Sequence, residues 1–325
     1  FYYNKTRDTV AEDFNMSQFN NILVVIDPTE DNQKALSRAL EIASKQSDVK
    51  ITVFLTIYDF SYEMTTMLSP DERDSMRNAV IQDRKDWLNE LIAEAQANID
   101  HIQTMVVWHN RPYESIIRAV LESDIDLVVK GTHEHDILKS VIFTPTDWHL
   151  LRKCPCSVLL VKEHAWPENG KILAAVNAGT EDEAHAQLNT TIIEHSRKMA
   201  DLLHSKVHLV NSYPLTPMNI AVEIPEFDPN EYNSTMKHHH MTTLAELAKQ
   251  YDIETSDTHC LEGMPEDVIP RVAKDLDAEL VVMGTIGRSG ISAALIGNTA
   301  EHVIDNLNCD LLALKPPGFE SPVKL

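Results

Sequence analysis

Shifted by 153 residues, the chain matches itself. WHNRPYESIIRAVLESDIDLVVKGT (108–132) aligns with LEGMPEDVIPRVAKDLDAELVVMGT (261–285) without a gap. Pro112 falls on Pro265, Glu114 on Asp267, Asp126 on Glu279, Val128-Val129 on Val281-Val282, Gly131 on Gly284 and Thr132 on Thr285. The same shift takes Cys156 to Cys309 and Lys162 to Lys315. A repeat of this length is a whole folding unit used twice, so the chain must be built as two homologous halves. Its 325 residues, 43% of them hydrophobic, supply enough apolar surface for a core in each.

Each half opens on a short β-rich run, NILVVID (21–27) or KILAAVN (171–177). A helical stretch and a second strand follow, ITVFLTIYDF (51–60) or KVHLVNSY (206–213). Ser69-Pro70-Asp71-Glu72 is a capping box with proline at the first helical position, and Asp228-Pro229-Asn230-Glu231 repeats its logic. Behind the first box, Met76, Val80, Trp87, Leu91 and Ala95 share one helix face, expected to pack on a sheet. MVVWH (105–109), DLVVKG (126–131) and SVLLVK (157–162) bring the first half to five strands alternating with helices. Continuous Val/Leu runs, without polar alternation, indicate strands covered on both faces. The fold class is therefore α/β: two tandem, five-stranded, parallel, doubly wound, Rossmann-like sheets. VLLVK (158–162) and LLALK (311–315) are expected to lie side by side about a pseudo-twofold axis, so that the two units form an intramolecular pseudo-dimer with two edges buried. The expected boundaries are an extension outside the fold at 1–16, halves at 17–163 and 170–317, a polar linker at 164–169 and a tail at 318–325.

Composition excludes several functions. Fifty acidic against 28 basic side chains give a net charge of −22, which repels nucleic-acid backbones and anionic membranes. No apolar run approaches the roughly 18 residues of a membrane span. The four cysteines, including Cys154-Pro155-Cys156, lack zinc-site spacing and read as buried thiols of a reducing, cytoplasmic compartment. His238-His239-His240 point in three directions if helical, as a solvated helix face does, and His133, His135 and Asp136 read as a polar loop. No metal site is expected. YPLTPMNIAVEIPEF (213–227) is apolar and proline-rich; it either packs on the other half or forms a lid over a pocket.

Four of the nine glycines fall in GTIGRSGISAALIGNTAE (284–301), directly after the strand LVVM (280–283). At the carboxyl edge of an α/β sheet, glycines let bare backbone approach an anion, and a helix beginning near Asn298 would add the positive end of its dipole. The spacing Gly284-x2-Gly287-x9-Gly297 is neither a Walker loop nor a dinucleotide fingerprint.

At these residues the chain resembles the universal stress protein family, whose ATP-binding members carry Gly-x2-Gly-x9-Gly-(Ser/Thr) at this point. The resemblance spans roughly residues 17–163 and 170–317. It implies that Gly284, Gly287 and Gly297 are the phosphate-loop glycines, with Asn298 in the Ser/Thr position and Thr299 beside it. It puts Asn177 where the family has a nucleoside-contacting Asp, and Asn211 where backbone groups face adenine. Met283 precedes the first glycine, and Arg288 is the one cation of the loop. The implied ligand is ATP or a related nucleotide, with no metal beyond a nucleotide-bound Mg. The implied role is that of a cytoplasmic stress-response protein, acting in survival of stresses such as DNA damage through its ligand, a further homodimer or other stress proteins.

In the first half Glu134 replaces the second glycine, Thr144-Pro145 replaces the third glycine and its neighbour, and Asp147 lies close behind. Although Asp27 keeps the first-strand acid, this half is expected not to bind a nucleotide tightly, because carboxylates repel phosphates and proline removes an amide. With no phosphate-loop lysine, no magnesium carboxylate pair and no paired nucleophile and base, the chain is expected not to be an enzyme, or at most to hydrolyse ATP slowly. A different or lipid-modified ligand under the 213–227 loop, and a ligand-free protein-interaction module, stay open as alternatives.

Overall fold

The structure is a computed structural model that describes residues 19–62, 68–95, 101–135, 140–142, 144–162, 165–216, 227–285 and 298–325. The 1–16 extension, residues 217–226 of the apolar loop and the glycine loop from 286 to 297 lie outside the described residues.

The first half runs β1 (Asn21–Val25), α1 (Lys34–Ser44), β2 (Lys50–Ile57), α2 (Pro70–Glu94), β3 (Ile102–Trp108), α3 (Pro112–Glu122), β4 (Leu127–Gly131), β5 (His133–His135), β6 (Ser140–Ile142), α4 (Pro145–Lys153) and β7 (Ser157–Val161). The second runs β8 (Lys171–Ala175), α5 (Glu183–Leu203), β9 (Lys206–Tyr213), α6 (Pro229–Gln250), β10 (Thr258–Glu262), α7 (Pro265–Leu276), β11 (Leu280–Gly284), α8 (Asn298–Asn306) and β12 (Asp310–Leu314). Both proline-led caps form as the sequence predicts. Ser69 accepts from the Glu72 amide while Glu72 reaches back to the Ser69 amide, and Asp228 accepts from the amides of Asn230 and Glu231.

The strands order as β10-β9-β8-β11-β12-β7-β4-β1-β2-β3. Each half is a five-stranded parallel sheet, and the two merge into one ten-stranded sheet through a single antiparallel contact, β7 with β12. Leu160 pairs with Leu311, Leu159 with Leu312 and Val158 with Ala313, so the two expected edges do meet. Two cores result, one per face, because successive strand residues point to opposite sides. Ile22 and Val24 join α1, α5 and α6 residues such as Ile42, Ile192 and Leu244 on one face. Leu23 joins α3, α4, α7 and α8 residues such as Ile116, Leu150, Val272 and Val303 on the other. Each core crosses the seam between the halves.

Away from the candidate site, three stretches differ at least in part from the sequence reading. Met76 is 41% exposed and Ala95 is exposed too, but Trp87 and Leu91 of the expected face do pack against the core beside Ile81 and Ile92; among the described residues α2 fully buries only Leu88, so only the middle of the expected stripe faces the sheet. The stretch after Gly131 is not a plain polar loop, since β5 and β6 pair as an antiparallel hairpin. The joint between the halves is not merely polar, because Trp166 packs against the core and lies 3.8 Å from the Arg38 guanidinium.

Candidate functional site

The parallel strands of the second half place the ends of β8, β9 and β11 on one carboxyl edge, where the loop from β8 to α5 begins. Two asparagines hold that loop. Asn189 on α5 accepts from the Asn177 amide at 2.9 Å and donates to the Asn177 carbonyl at 2.9 Å, closing a two-bond clamp. Asn211 on β9 accepts from the Ala178 amide at 2.9 Å. The Asn177 side chain stays exposed, while Asn211 is 1% exposed. The Asn211 amide nitrogen meets His240 Nδ1 at 3.1 Å and Cys260 Sγ at 3.7 Å. Asn211 is therefore a brace whose hydrogen-bonding groups are used internally.

His240 departs from the solvated-face reading of the histidine triplet. His238 and His239 are exposed, but His240 is 7% exposed and stacks on Tyr213 with ring centroids 5.8 Å apart. It presses on the loop from β8 to α5 so closely that a Cβ on Gly179 would lie 2.1 Å from its ring. Burial and then the neighbouring His239 hold the His240 imidazole below the ordinary histidine range. Nothing in a run of three histidines says which one faces inward. Gly179 and the inward Asn211, one helix and one strand away, supply that information only in three dimensions.

Met283 is buried in the core at the end of β11. Gly284 follows, and a Cβ there would sit 2.4 Å from Leu188 Cδ2, so its missing side chain makes room for α5. Asn298 opens α8 and Thr299 lies in its first turn. Asn177, Met283 and Gly284 are thus gathered at the ends of the adjacent strands β8 and β11. Gly287, Arg288 and Gly297 lie outside the described residues.

In the first half the end of β4 meets the start of α4 through a pair of charges. Lys130, at the end of β4, points its ammonium at the Asp147 carboxylate, 2.7 Å away, and both side chains are buried. Asp147 is the third residue of α4; its other oxygen accepts from the Thr144 amide at 2.6 Å and the Thr144 hydroxyl at 2.9 Å. A carboxylate from within the chain thereby occupies the positive end of α4. The cleft next to it is lined by Asp27, Lys34, Lys130, Gly131 and Thr132 among others. Shifted by 153, Lys130 corresponds to Met283 and Asp147 to Ala300. The second half lacks both charges, and this pair of substitutions was visible in the repeat itself.

Among the described residues no group of three or more His, Cys, Asp or Glu side chains is arranged to hold a metal ion. No described helix is long and apolar enough to cross a membrane.

The sequence profile described as the universal stress protein family matches residues 18–162 and again residues 169–315. The chain is 51% identical over 312 residues to universal stress protein E of Escherichia coli K12, covering 95% of this chain and 98% of that one. It is 42% identical to a universal stress protein E homolog of Haemophilus influenzae, covering 92% and 98%. Among solved structures, a functionally unknown protein of Pseudomonas aeruginosa superposes with a TM-score of 0.69 at 30% identity, covering 93% of this chain and 94% of that one.

Proposed function

The chain is a tandem member of the universal stress protein family, and from that premise we propose that it is a stress-response protein whose second half binds an adenine-nucleotide-like ligand. The ligand serves as a regulatory or structural element. The first half is a filled counterpart that takes none. Lys130 and Asp147 on one side against Met283 and Ala300 on the other carry this reading. A helix N-terminus attracts an anion through its unpaired amides. Asp147 answers that demand for α4 from inside the chain, whereas α8 has an alanine at the same position and a glycine-rich segment before it.

The proposed contacts are the Asn177 side chain, the Asn211 backbone, Met283 and Gly284 at the strand ends. Gly287, Arg288, Gly297, Asn298 and Thr299 complete them around the phosphates. Arg288 is the cation and the Asn298 amide stands in for a hydroxyl. These residues include no general base to pair with a nucleophile, so the nucleotide is held and hydrolysed slowly if at all. The proposed setting is the cytoplasm. The partners are the small ligand and other stress proteins or a second copy of the chain.

Calorimetric titration with ATP, ADP and AMP, beside native mass spectrometry of gently purified protein, tests the reading. One bound nucleotide per chain, lost on Gly297→Val and kept on Asp27→Ala, supports it. Absence of any nucleotide would leave a ligand-free interaction module, and turnover at the rate of an ordinary ATPase would make the protein an enzyme.

A further inference from the structure

Asn211 has one carbonyl oxygen and one amide nitrogen, and their roles are fixed by what they face. The Ala178 N–H donates to Oδ1, so the nitrogen is the atom turned to His240. That nitrogen carries hydrogens only, so Asn211 donates to His240 Nδ1 and the imidazole must be neutral with its proton on Nε2. A proton on Nδ1 would set two donors against each other across 3.1 Å in a buried site. Asn211 can relieve the clash by turning its amide over, but its nitrogen would then confront the Ala178 N–H. Either way one bond of the chain His240–Asn211–Ala178 is lost, and the loop from Asn177 to Thr180 loses a tether. The His240 ring also fills the space over Gly179, so its movement is felt directly by the same loop.

We propose that His240 is a proton-operated latch on the ligand loop of the second half: neutral, it holds the loop from Asn177 to Thr180 in the binding position through Asn211; protonated, it lets the loop go. This rests on the reading of that edge as the nucleotide site. The groups facing His240 are Tyr213 and Asn211 from β9, His239 beside it on α6, and Cys260 from β10 through Asn211, with Lys237 acting on Cys260 from one turn earlier on α6. The loop segment Asn177–Thr180 contributes no ionisable side chain. No carboxylate is among these groups to favour the charged ring, and the shift of its titration below the usual range agrees with that. The latch therefore opens only as pH falls below the ordinary histidine range, which would couple ligand release to acid stress.

Two measurements separate the latch from the nucleotide reading. In the ligand-free protein, ¹⁵N spectra of the imidazole should show the Nε2–H tautomer at pH 7.5. As pH falls, the Ala178 amide should shift in step with His240 protonation. A charged ring at pH 7.5, an Nδ1–H tautomer, or an Ala178 amide indifferent to the titration would overturn the latch whatever the protein binds. In the second measurement, ATP affinity is compared at pH 7.5 and 5.5 for the wild type and for His240→Asn, whose side-chain oxygen can accept the same bond without titrating. The wild type should lose severalfold more affinity than the variant, short of the about tenfold that a ring titrating at the ordinary histidine value would give at pH 5.5. The variant also cancels the titration of ATP itself. Equal losses in the two proteins refute coupling to the ligand, and no binding at either pH refutes the nucleotide site while leaving the tautomer result to stand alone.

Discussion

Lys130 and Asp147 are a buried ion pair, and such a pair is far more costly to break than to replace. Asp147→Ala alone leaves an ammonium buried at the end of β4 and removes the reciprocal half of the α4 capping box, with the Thr144 cap itself kept; it should cost about 3–5 kcal/mol. Lys130→Met combined with Asp147→Ala installs the residue types of the second half and should lie within about 1 kcal/mol of the native protein, or above it. Urea unfolding of both variants checks the contrast, and equal losses would show that the cap rather than the pair is what matters. The sequence revealed both positions as departures within the repeat, and Asp147 was read there as a charge that repels phosphate. What it could not reveal is that Asp147 itself sits at the helix end with a partner. That follows from β4 ending beside the start of α4, a fact of chain geometry. His240 was illegible for a related reason: its environment is made by β9 and a loop about sixty residues away, and the two exposed histidines beside it mask the signal.

At the scale of elements, the molecule depends on β7 and β12. They join the two sheets, and all six paired side chains from Val158 to Leu160 and Leu311 to Ala313 are buried. Leu159 and Leu312 face each other directly across the junction, each 1% exposed. Leu312→Ala should destabilise the protein by about 2–5 kcal/mol, as truncation of a core leucine does. Leu159→Ala with Leu312→Ala should cost less than the sum of the singles, since both enlarge one shared void. Thermal or urea unfolding of the cycle provides the check, and strict additivity would mean that the two strands do not share packing. This junction was legible because edge strands with fully apolar faces must be covered, and each half supplied one. The strands and caps were legible too, because Val/Leu runs and Ser-Pro-Asp-Glu act locally. The face of α2 was legible only in part, since Trp87 and Leu91 do pack on the core while Met76 and Ala95 face solvent. A 25-residue helix that buries little more than Leu88 lets many apolar assignments look equally periodic, so only contact with β3 decides which turn faces inward.

At the scale of the whole molecule, the seam between the halves is lined with buried charge as well as with leucines. Asp310, fully buried at the start of β12, accepts from Arg38 Nε of the first half at 3.0 Å and from the Lys162 amide at 2.7 Å. Arg38 also meets Glu41 at 2.6 Å and lies on Trp166. The two equivalent lysines reach across in opposite directions, Lys162 to the Leu307 carbonyl after α8 and Lys315 to the Leu151 carbonyl in α4 and the Thr285 hydroxyl. Burial outweighs Arg38 and raises the Asp310 carboxyl to about 7, and burial lowers the Lys315 ammonium to about 8. A carboxyl raised in this way binds its proton more readily in the folded state. Its contribution to stability is full below about pH 4, declines as pH rises, and is gone above about 7, a span on the order of 4 kcal/mol. Lys315 acts in the opposite sense: the folded state releases its proton first, so stability gains between about 8 and 10.5. The two together place a minimum of stability between pH 7 and 8. Asp310→Asn should flatten the slope between pH 4 and 7, and Lys315→Met should flatten the slope above 8, each leaving the other limb intact. Urea midpoints across that pH range measure both. Unchanged slopes in Asp310→Asn would mean that Arg38 keeps the carboxylate charged throughout, turning the seam from a titrating contact into a permanent ion pair.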